Sequence, residues 1–259
     1  SDAPDVVKRI SFSVPSGSKL AIVGPTGSGK SSLFNAFLRL LEPQSGSIVI
    51  DGWNIGRIGL EDLRSRLYLV PQDPVILSGT LRSVLDVLGE FDDAKLLACL
   101  EAVHLVTDDN SAGKSPFSNL DMPIAENGSN LSQGQRQLLC VARALLHKSR
   151  IVLFDEASSC IDYTTDMRIT ETVHQVFDKC TVITIAHRLR TVIGYDKVMY
   201  MDHGKIMELD EPAKLLDDKS SHFYRLCKQT GPAEFQFLVE AAKQAASKRQ
   251  APPTIAASS

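Results

Sequence analysis

Gly24-Pro25-Thr26-Gly27-Ser28-Gly29-Lys30-Ser31 is the stretch that decides the fold. It matches G-x-x-x-x-G-K-[ST]. The run before it, Lys19-Leu20-Ala21-Ile22-Val23, is short and apolar and ends in a glycine, which predicts a buried strand. Residues 31–41 then carry apolar side chains at helical spacing and stop at Glu42-Pro43. Strand, glycine-rich turn and helix in that order are the context the motif requires. Phosphate groups need a concave array of backbone N–H donors, and glycines let the main chain approach them closely. A helix starting at Lys30 points its positive end at the same place. Lys30 would reach the β- and γ-phosphates, and Ser31 would bind Mg2+.

Outward from this unit the pattern alternates. Residues 46–52 read as a strand ending in a turn, and Leu67-Tyr68-Leu69-Val70 as another strand closed by Pro71. Residues 74–150 are different: helical spacing over 93–103 and 133–146 flanks a polar stretch over 107–118, which predicts a mostly helical insertion. Residues 150–154 and 181–186 are continuous apolar runs, as expected of strands buried on both faces. Residues 197–201 and 205–209 flank Asp202-His203-Gly204, a hairpin signature. Strands alternating with helices imply a mainly parallel sheet with helical crossovers. Residues 233–250 predict a helix, and 251–259, small, polar and Pro-containing, a disordered tail. Trp53, the single tryptophan, follows a turn glycine and is expected to pack; Phe12 is expected in the core of an alternating strand.

Composition narrows the function classes. In 259 residues, 43% hydrophobic and 23% charged, a sizeable core is available and global disorder is excluded. A net charge of −3 argues against a dedicated nucleic-acid binder. No apolar run approaches the ~18–20 residues of a membrane-spanning helix, and the polar, acidic start is no signal peptide. The first residue is not Met and the glycine-rich motif comes early, so the chain reads as a piece of something longer. Cys99, Cys140, Cys160, Cys180 and Cys227 form no C-x-x-C pair and are expected to be free thiols.

Two further segments carry chemistry. The apolar run 151–154 delivers Asp155 and Glu156 to the end of a buried strand, where ligands of open parallel sheets bind. Asp155 would hold Mg2+ through water, and Glu156 would orient or deprotonate the attacking water. Leu131-Ser132-Gln133-Gly134-Gln135 opens a helix. Ser132 suits an N-cap; it equally suits an anion site at a helix N-terminus, and spacing alone does not choose.

With these residues in place the chain resembles the nucleotide-binding domain of an ATP-binding cassette (ABC) transporter. Leu131 to Gln135 is similar to that family's signature motif. Gln72, in Val70-Pro71-Gln72-Asp73-Pro74, resembles the Q-loop; Ser158-Ser159-Cys160-Ile161-Asp162 resembles the D-loop; His187, in Ile185-Ala186-His187-Arg188-Leu189, resembles the switch histidine. The resemblance covers residues 6–231. Pro71 to Arg82 and Glu126 to Asn130 look like the C subfamily, the multidrug-resistance-associated type, and within it the second nucleotide-binding domain.

The resemblance implies an α/β fold: a P-loop NTPase core with a mainly parallel sheet, an N-terminal antiparallel β subdomain, and an inserted helical subdomain over about 75–150. The nucleotide-binding domain would span 1–231, and 232–259 would form the C-terminal helix and tail. It implies ATP and Mg2+ as cofactors. Gly24, Thr26, Gly27, Ser28, Gly29, Lys30, Ser31, Ser32 and Asp155 would bind the nucleotide, with Ser31, Gln72 and Asp155 at the metal. Glu156, His187 and Gln72 would be catalytic. Ser132, Gly134 and Gln135 would complete the ATP site of a second nucleotide-binding domain, facing head to tail. The helical subdomain would dock on cytoplasmic loops of membrane helices carried by the parent polypeptide, with this part on the cytosolic face and no nucleic-acid partner. The implied function is ATP hydrolysis that powers export; the alternative is a regulatory nucleotide-binding module of a channel or channel regulator. Two departures stand out. Gln133 occupies the signature position where the family has Gly, which implies a weaker partner site. None of residues 1–10 is aromatic, so the adenine-stacking residue would fall at or before Ser1.

Overall fold

Leu20, Ala21, Ile22 and Val23 are all buried, so the first predicted strand is sealed on both faces as β1 (Lys19–Val23). The computed structural model describes residues 6–106, 115–155, 163–186 and 188–250, with 163–169 and 250 in backbone only. After β1 come α1 (Lys30–Phe37), β2 (Val49–Ile50), β3 (Trp53–Asn54), α2 (Leu60–Arg64) and β4 (Leu67–Val70). The middle of the chain holds β5 (Gly79–Thr80), α3 (Leu81–Leu85), α4 (Asp93–Ala102), β6 (Pro123–Ile124) and α5 (Gln133–Leu146). Then follow β7 (Ile151–Asp155), α6 (Tyr163–Val176), β8 (Thr181–Ile185), α7 (Leu189–Val192), β9 (Lys197–Asp202) and β10 (Lys205–Asp210). Helices α8 (Pro212–Asp217), α9 (His222–Lys228) and α10 (Pro232–Gln250) end the described chain.

The main sheet runs β10-β9-β1-β8-β7-β4. β1 pairs with β9 and β4 with β7 in parallel, while β10 pairs antiparallel with β9. This is the mainly parallel α/β arrangement that the alternation of apolar runs predicts.

The chain divides into two compact units. One comprises Ser1–Val14, Ser18–Leu33 and Thr184–Ser259. Its β9–β10 hairpin turns at His203 and Gly204, with φ of 45° and 77°. Two positive φ values define the type I′ turn that suits the twist of paired strands. Glu208 of β10 accepts hydrogen bonds from Ser221 Oγ (2.9 Å) and from the backbone N of His222 (2.5 Å) and Phe223 (3.1 Å). The carboxylate so neutralises the N-terminus of α9 and fastens it to the sheet edge.

The other unit comprises Pro15–Gly17 and Phe34–Ile183. Its helices start on local caps: Thr80 with Ser83 for α3, Asp92 for α4, Ser132 with Gln135 for α5. α4 packs on α5; Leu96 and Leu100 of α4 and Leu139, Val141 and Ala142 of α5 are all buried. A two-residue ladder, β5–β6, ties the start of α3 to the chain before α5; the one-dimensional pattern gives no hint of so short a pairing.

Three expectations are corrected. The helix expected over 31–41 stops at Phe37, because Arg39 turns left-handed (φ 50°) and its guanidinium donates to the carbonyls of Ile55 (3.0 Å) and Ile58 (2.8 Å). Leu40 and Leu41 are left exposed. Trp53 does not pack: it is 69% exposed, in the two-residue ladder of β2 and β3 opposite Ile50. Phe12 is half-buried in a segment that alternates exposed and half-buried residues but carries no strand. Among the described residues, the antiparallel element before residue 60 is the two-stranded β2–β3 ladder.

Candidate nucleotide-binding site

The phosphate loop is shaped by its glycines for two different reasons. Gly24 has φ +142°, and a Cβ there would lie 2.0 Å from the carbonyl oxygen of Met201 in β9. No side chain fits, so Gly24 lets the loop leave β1 pressed against the neighbouring strand. Gly27, with φ +80°, has nothing within 4 Å of its Cβ position and faces open space. Ser28 N donates to Pro25 O (3.2 Å), which closes the turn. Ser28 and Lys30 are both buried, at 2% and 6% exposure.

The Lys30 ammonium donates to Gly24 O (2.9 Å), Pro25 O (2.9 Å) and Ser28 Oγ (3.5 Å). The loop therefore curls around a buried cation that leaves the first residue of α1. A buried ammonium is costly unless held by such acceptors. The helix has no acidic residue in its first turn, so nothing there opposes an anion at its positive end. A glycine-built concavity, a buried cation and a helix N-terminus together fit a polyphosphate. Thr26 and Ser31 are exposed and Ser32 is half-buried.

In the second unit, parallel strands β4 and β7 end together. Val70 is opposite Phe154, so Asp155 lies where the chain leaves β4 through Pro71 toward Gln72. Both residues thus stand at the C-terminal edge of a parallel strand pair, where ligands of such sheets bind. Gln72 is exposed and Asp155 half-buried. An amide and a carboxylate are the kind of oxygen donors that Mg2+ takes alongside phosphate and water.

Leu131, Gly134 and Gln137 are buried at the start of α5, while Ser132 is exposed. Ser132 Oγ accepts from Gln135 N (3.2 Å) and Gln135 Oε1 accepts from Ser132 N (2.8 Å). This reciprocal capping box settles the local role of both side chains. Gln133 is half-buried at the first helical position. Glu156, the 158–162 segment and His187 lie outside the described residues.

One residue that sequence reasoning missed is Gln137. It is 1% exposed, its Nε2 donates to the backbone oxygen of Gln72 (3.4 Å), and its Oε1 has no hydrogen-bond partner among the described residues. The start of α5 and the segment that follows β4 are thus tied together. The available signal was a polar side chain at 137 in helical register with Gly134 and Val141. Cys99, Cys140, Cys180 and Cys227 form no disulfide, and burial pushes the Cys227 thiol up to about 12 and raises that of Cys140. Such thiols are poor nucleophiles. Cys160 lies outside the described residues. Among the described residues, no helix is long and apolar enough to cross a membrane.

A model of the ABC transporter family matches residues 7–159, more than half of the chain. The chain is 44% identical over 259 residues to the ATP-dependent bile acid permease of Saccharomyces cerevisiae, covering 93% of this chain and 16% of the permease. It is 45% identical over 250 residues to human ATP-binding cassette sub-family C member 4, covering 96% of this chain and 18% of that protein. The chain therefore spans less than a fifth of the length of these relatives. Among solved structures, a bacterial Atm1-family ABC exporter with ATP bound superposes with a TM-score of 0.80 at 30% identity, over 90% of this chain and 40% of the exporter. Glycine cradle, buried lysine, strand-end aspartate and capped signature helix occur in a fold matched to that of an ABC exporter: the chain belongs to the ABC transporter family, with a P-loop NTPase fold.

Proposed function

We propose that this chain binds and hydrolyses Mg-ATP and that it powers export by nucleotide-driven, head-to-tail dimerisation with a second nucleotide-binding domain. The observation that carries the reading is the enclosure of the buried Lys30 ammonium by the loop carbonyls of Gly24 and Pro25. That cation is already desolvated, and phosphate oxygens are stronger partners for it than neutral carbonyls. The backbone from Gly24 to Ser32, with Thr26, would cradle the phosphates. Ser31, Gln72 and Asp155 would hold Mg2+, which supplies charge neutralisation at the β- and γ-phosphates. Glu156 would orient the attacking water and accept its proton. His187 would stabilise charge developing on the γ-phosphate, as a preorganised donor does.

The signature acts on the partner's nucleotide through Ser132, Gly134 and Gln135. Gln133 adds a side chain where close backbone approach is required, so the site completed by this chain's signature is the slower of the two. The site built on Lys30 and Glu156 is the faster one, the arrangement expected of a second nucleotide-binding domain of the C subfamily. Membrane helices belong to the parent protein, and this part lies on the cytosolic face. Val75, Leu77, Val87 and Leu88, all at least 60% exposed, offer apolar surface to cytoplasmic loops of those helices.

The test is Mg-ATP turnover against protein concentration, for this chain and for Glu156→Gln, with nucleotide binding measured in parallel. Turnover rising faster than linearly with protein and vanishing in the variant is the expected result. Binding without turnover at any concentration would mean that the partner's signature is obligatory. Absence of binding would overturn the reading for this chain.

A further inference from the structure

We propose that α10 is a latch on the chain just after residue 187, and that Arg190 is the positioning residue through which it acts. The proposal rests on the catalytic reading of His187. Helix α7 is 4 residues long and has no side-chain cap at Arg188. A single turn of that kind does not hold its own geometry. Its Arg190 is held from outside. The guanidinium Nε donates to Glu234 Oε1 of α10 at 2.6 Å, and a second arm, NH2, donates to Oε2 of the same carboxylate. The guanidinium carbon lies 4.2 Å over the ring of Phe237. A fork fixed along its edge by a carboxylate and across its plane by a ring has little freedom left.

The other end of α10 closes a second clamp. Arg249 donates to the carbonyls of Gly194 (2.5 Å) and Tyr195 (2.7 Å) and pairs with Asp196 (3.1 Å). Asp196 in turn accepts from the backbone N of Lys19 (2.7 Å) and donates its own N to Lys19 O (3.0 Å), at the start of β1. Between the clamps, Leu238 and Ala242 are buried one turn apart, and Phe235 meets Tyr224 of α9 edge-on. Helix α10 is therefore seated along its length, with both ends gripping the stretch 190–196.

Upstream, Ala186 N donates to Ile22 O (3.1 Å), which holds the chain leaving β8. The chain is thus fixed by the sheet just before residue 187 and by α10 just after it. Releasing α10 frees only the downstream point, so it loosens the stretch from 188 onward without touching the phosphate loop.

The experiment compares the 259-residue chain with Glu234→Gln, Arg249→Gln and the charge reversal Arg190→Glu/Glu234→Arg. Turnover is resolved into kcat and KM, and hydrogen exchange is followed over 188–193. Glu234→Gln is expected to lower kcat about fivefold with KM for ATP unchanged, and to speed exchange over 188–193. The reversal is expected to recover most of both. Arg249→Gln opens the far clamp alone and reproduces the effect if Glu234→Gln does not fold. Unchanged exchange overturns the latch. Faster exchange with unchanged kcat overturns the positioning role. His187→Ala separates the two readings: if it leaves turnover intact, the role given to His187 fails, and with it the positioning role, while the exchange result still decides the latch.

Discussion

Helices α1 and α5 both begin where an anion is expected, and their N-termini are built in opposite ways. The residue before α1 is Gly29, which has no side chain to cap with. The residue before α5 is Ser132, which takes Gln135 N while Gln135 takes Ser132 N. Every helix start leaves four backbone donors without intrahelical partners. At α5 the chain satisfies donors with its own side chains. At α1 it surrounds them instead with a glycine cradle and a buried lysine. The start of α1 is suited to holding a ligand of this chain's own, the start of α5 to standing rigid and being offered to something else. The capping role of Ser132 does not exclude the binding role. Its oxygen accepts from Gln135 N, which leaves the O–H to donate to an anion.

The largest expected effect lies in the phosphate loop, where two glycines separate shape from contact. Gly24→Ala drives a Cβ to 2.0 Å from the backbone of Met201, which no side-chain movement relieves. We expect a loss of about 3 kcal/mol or more, read as a fall in denaturation midpoint. Gly27→Ala meets open space and bears only the strain of a positive φ, about 1–2 kcal/mol. Equal losses at the two positions would mean that the close approach of Gly24 to β9 is not what shapes the loop.

Lys30→Met tests the cradle without altering the glycines. It removes the ammonium that the carbonyls of Gly24 and Pro25 enclose and leaves a side chain of similar length. Charge-assisted hydrogen bonds contribute about 1.5–3 kcal/mol, so ATP affinity should fall roughly 10- to 150-fold by calorimetry. An affinity within about twofold of the wild type would move the phosphates away from this loop.

Much of this contrast was legible in the residues. The glycines, Lys30 and the capping pattern Ser132…Gln135 are local signals: each acts over one turn of chain, so spacing exposes it. The buried strands were legible because burial on both faces leaves continuous apolar runs, as in 20–23 and 151–154. What was not legible depends on contacts distant in sequence. The end of α1 is set by Arg39 reaching the carbonyls of Ile55 and Ile58. The exposure of Trp53 follows from a hairpin too short to bring its ring against a core. The β5–β6 ladder joins two residues to two others more than forty positions away. The pairing of Arg190 with Glu234 spans 44 positions and leaves no periodic trace.

Ser132→Ala removes the cap and, on the proposed reading, the donor for a partner's nucleotide. The cap is worth about 1 kcal/mol of stability. Ser132→Asp keeps an acceptor for Gln135 N but carries no O–H and adds a negative charge. Both should depress turnover of a dimer by acting on the partner's site, whereas only Ser132→Ala should lower the denaturation midpoint. A parallel fall of stability and turnover in Ser132→Ala, with Ser132→Asp normal in both, would make Ser132 a cap and nothing more.

The smallest expected change in stability is at Gln137, one turn further into α5. Its amide holds the carbonyl of Gln72 through a long hydrogen bond of 3.4 Å, and its own oxygen is buried without a partner among the described residues. Gln137→Met fills similar volume. It gives up about 0.5–1.5 kcal/mol for the hydrogen bond and relieves the orphaned oxygen, whose burial costs about 1–3 kcal/mol. The two nearly offset, so the denaturation midpoint should barely move or should rise. The link to Gln72 is nevertheless lost, since methionine has no donor. If that link carries the position of the Q-loop segment, hydrogen exchange over residues 71–74 should quicken while that of α5 stays slow. Stability maintained with unchanged exchange at 71–74 would show that the start of α5 and the Q-loop segment are held independently, and the capped helix would then be rigid on its own account.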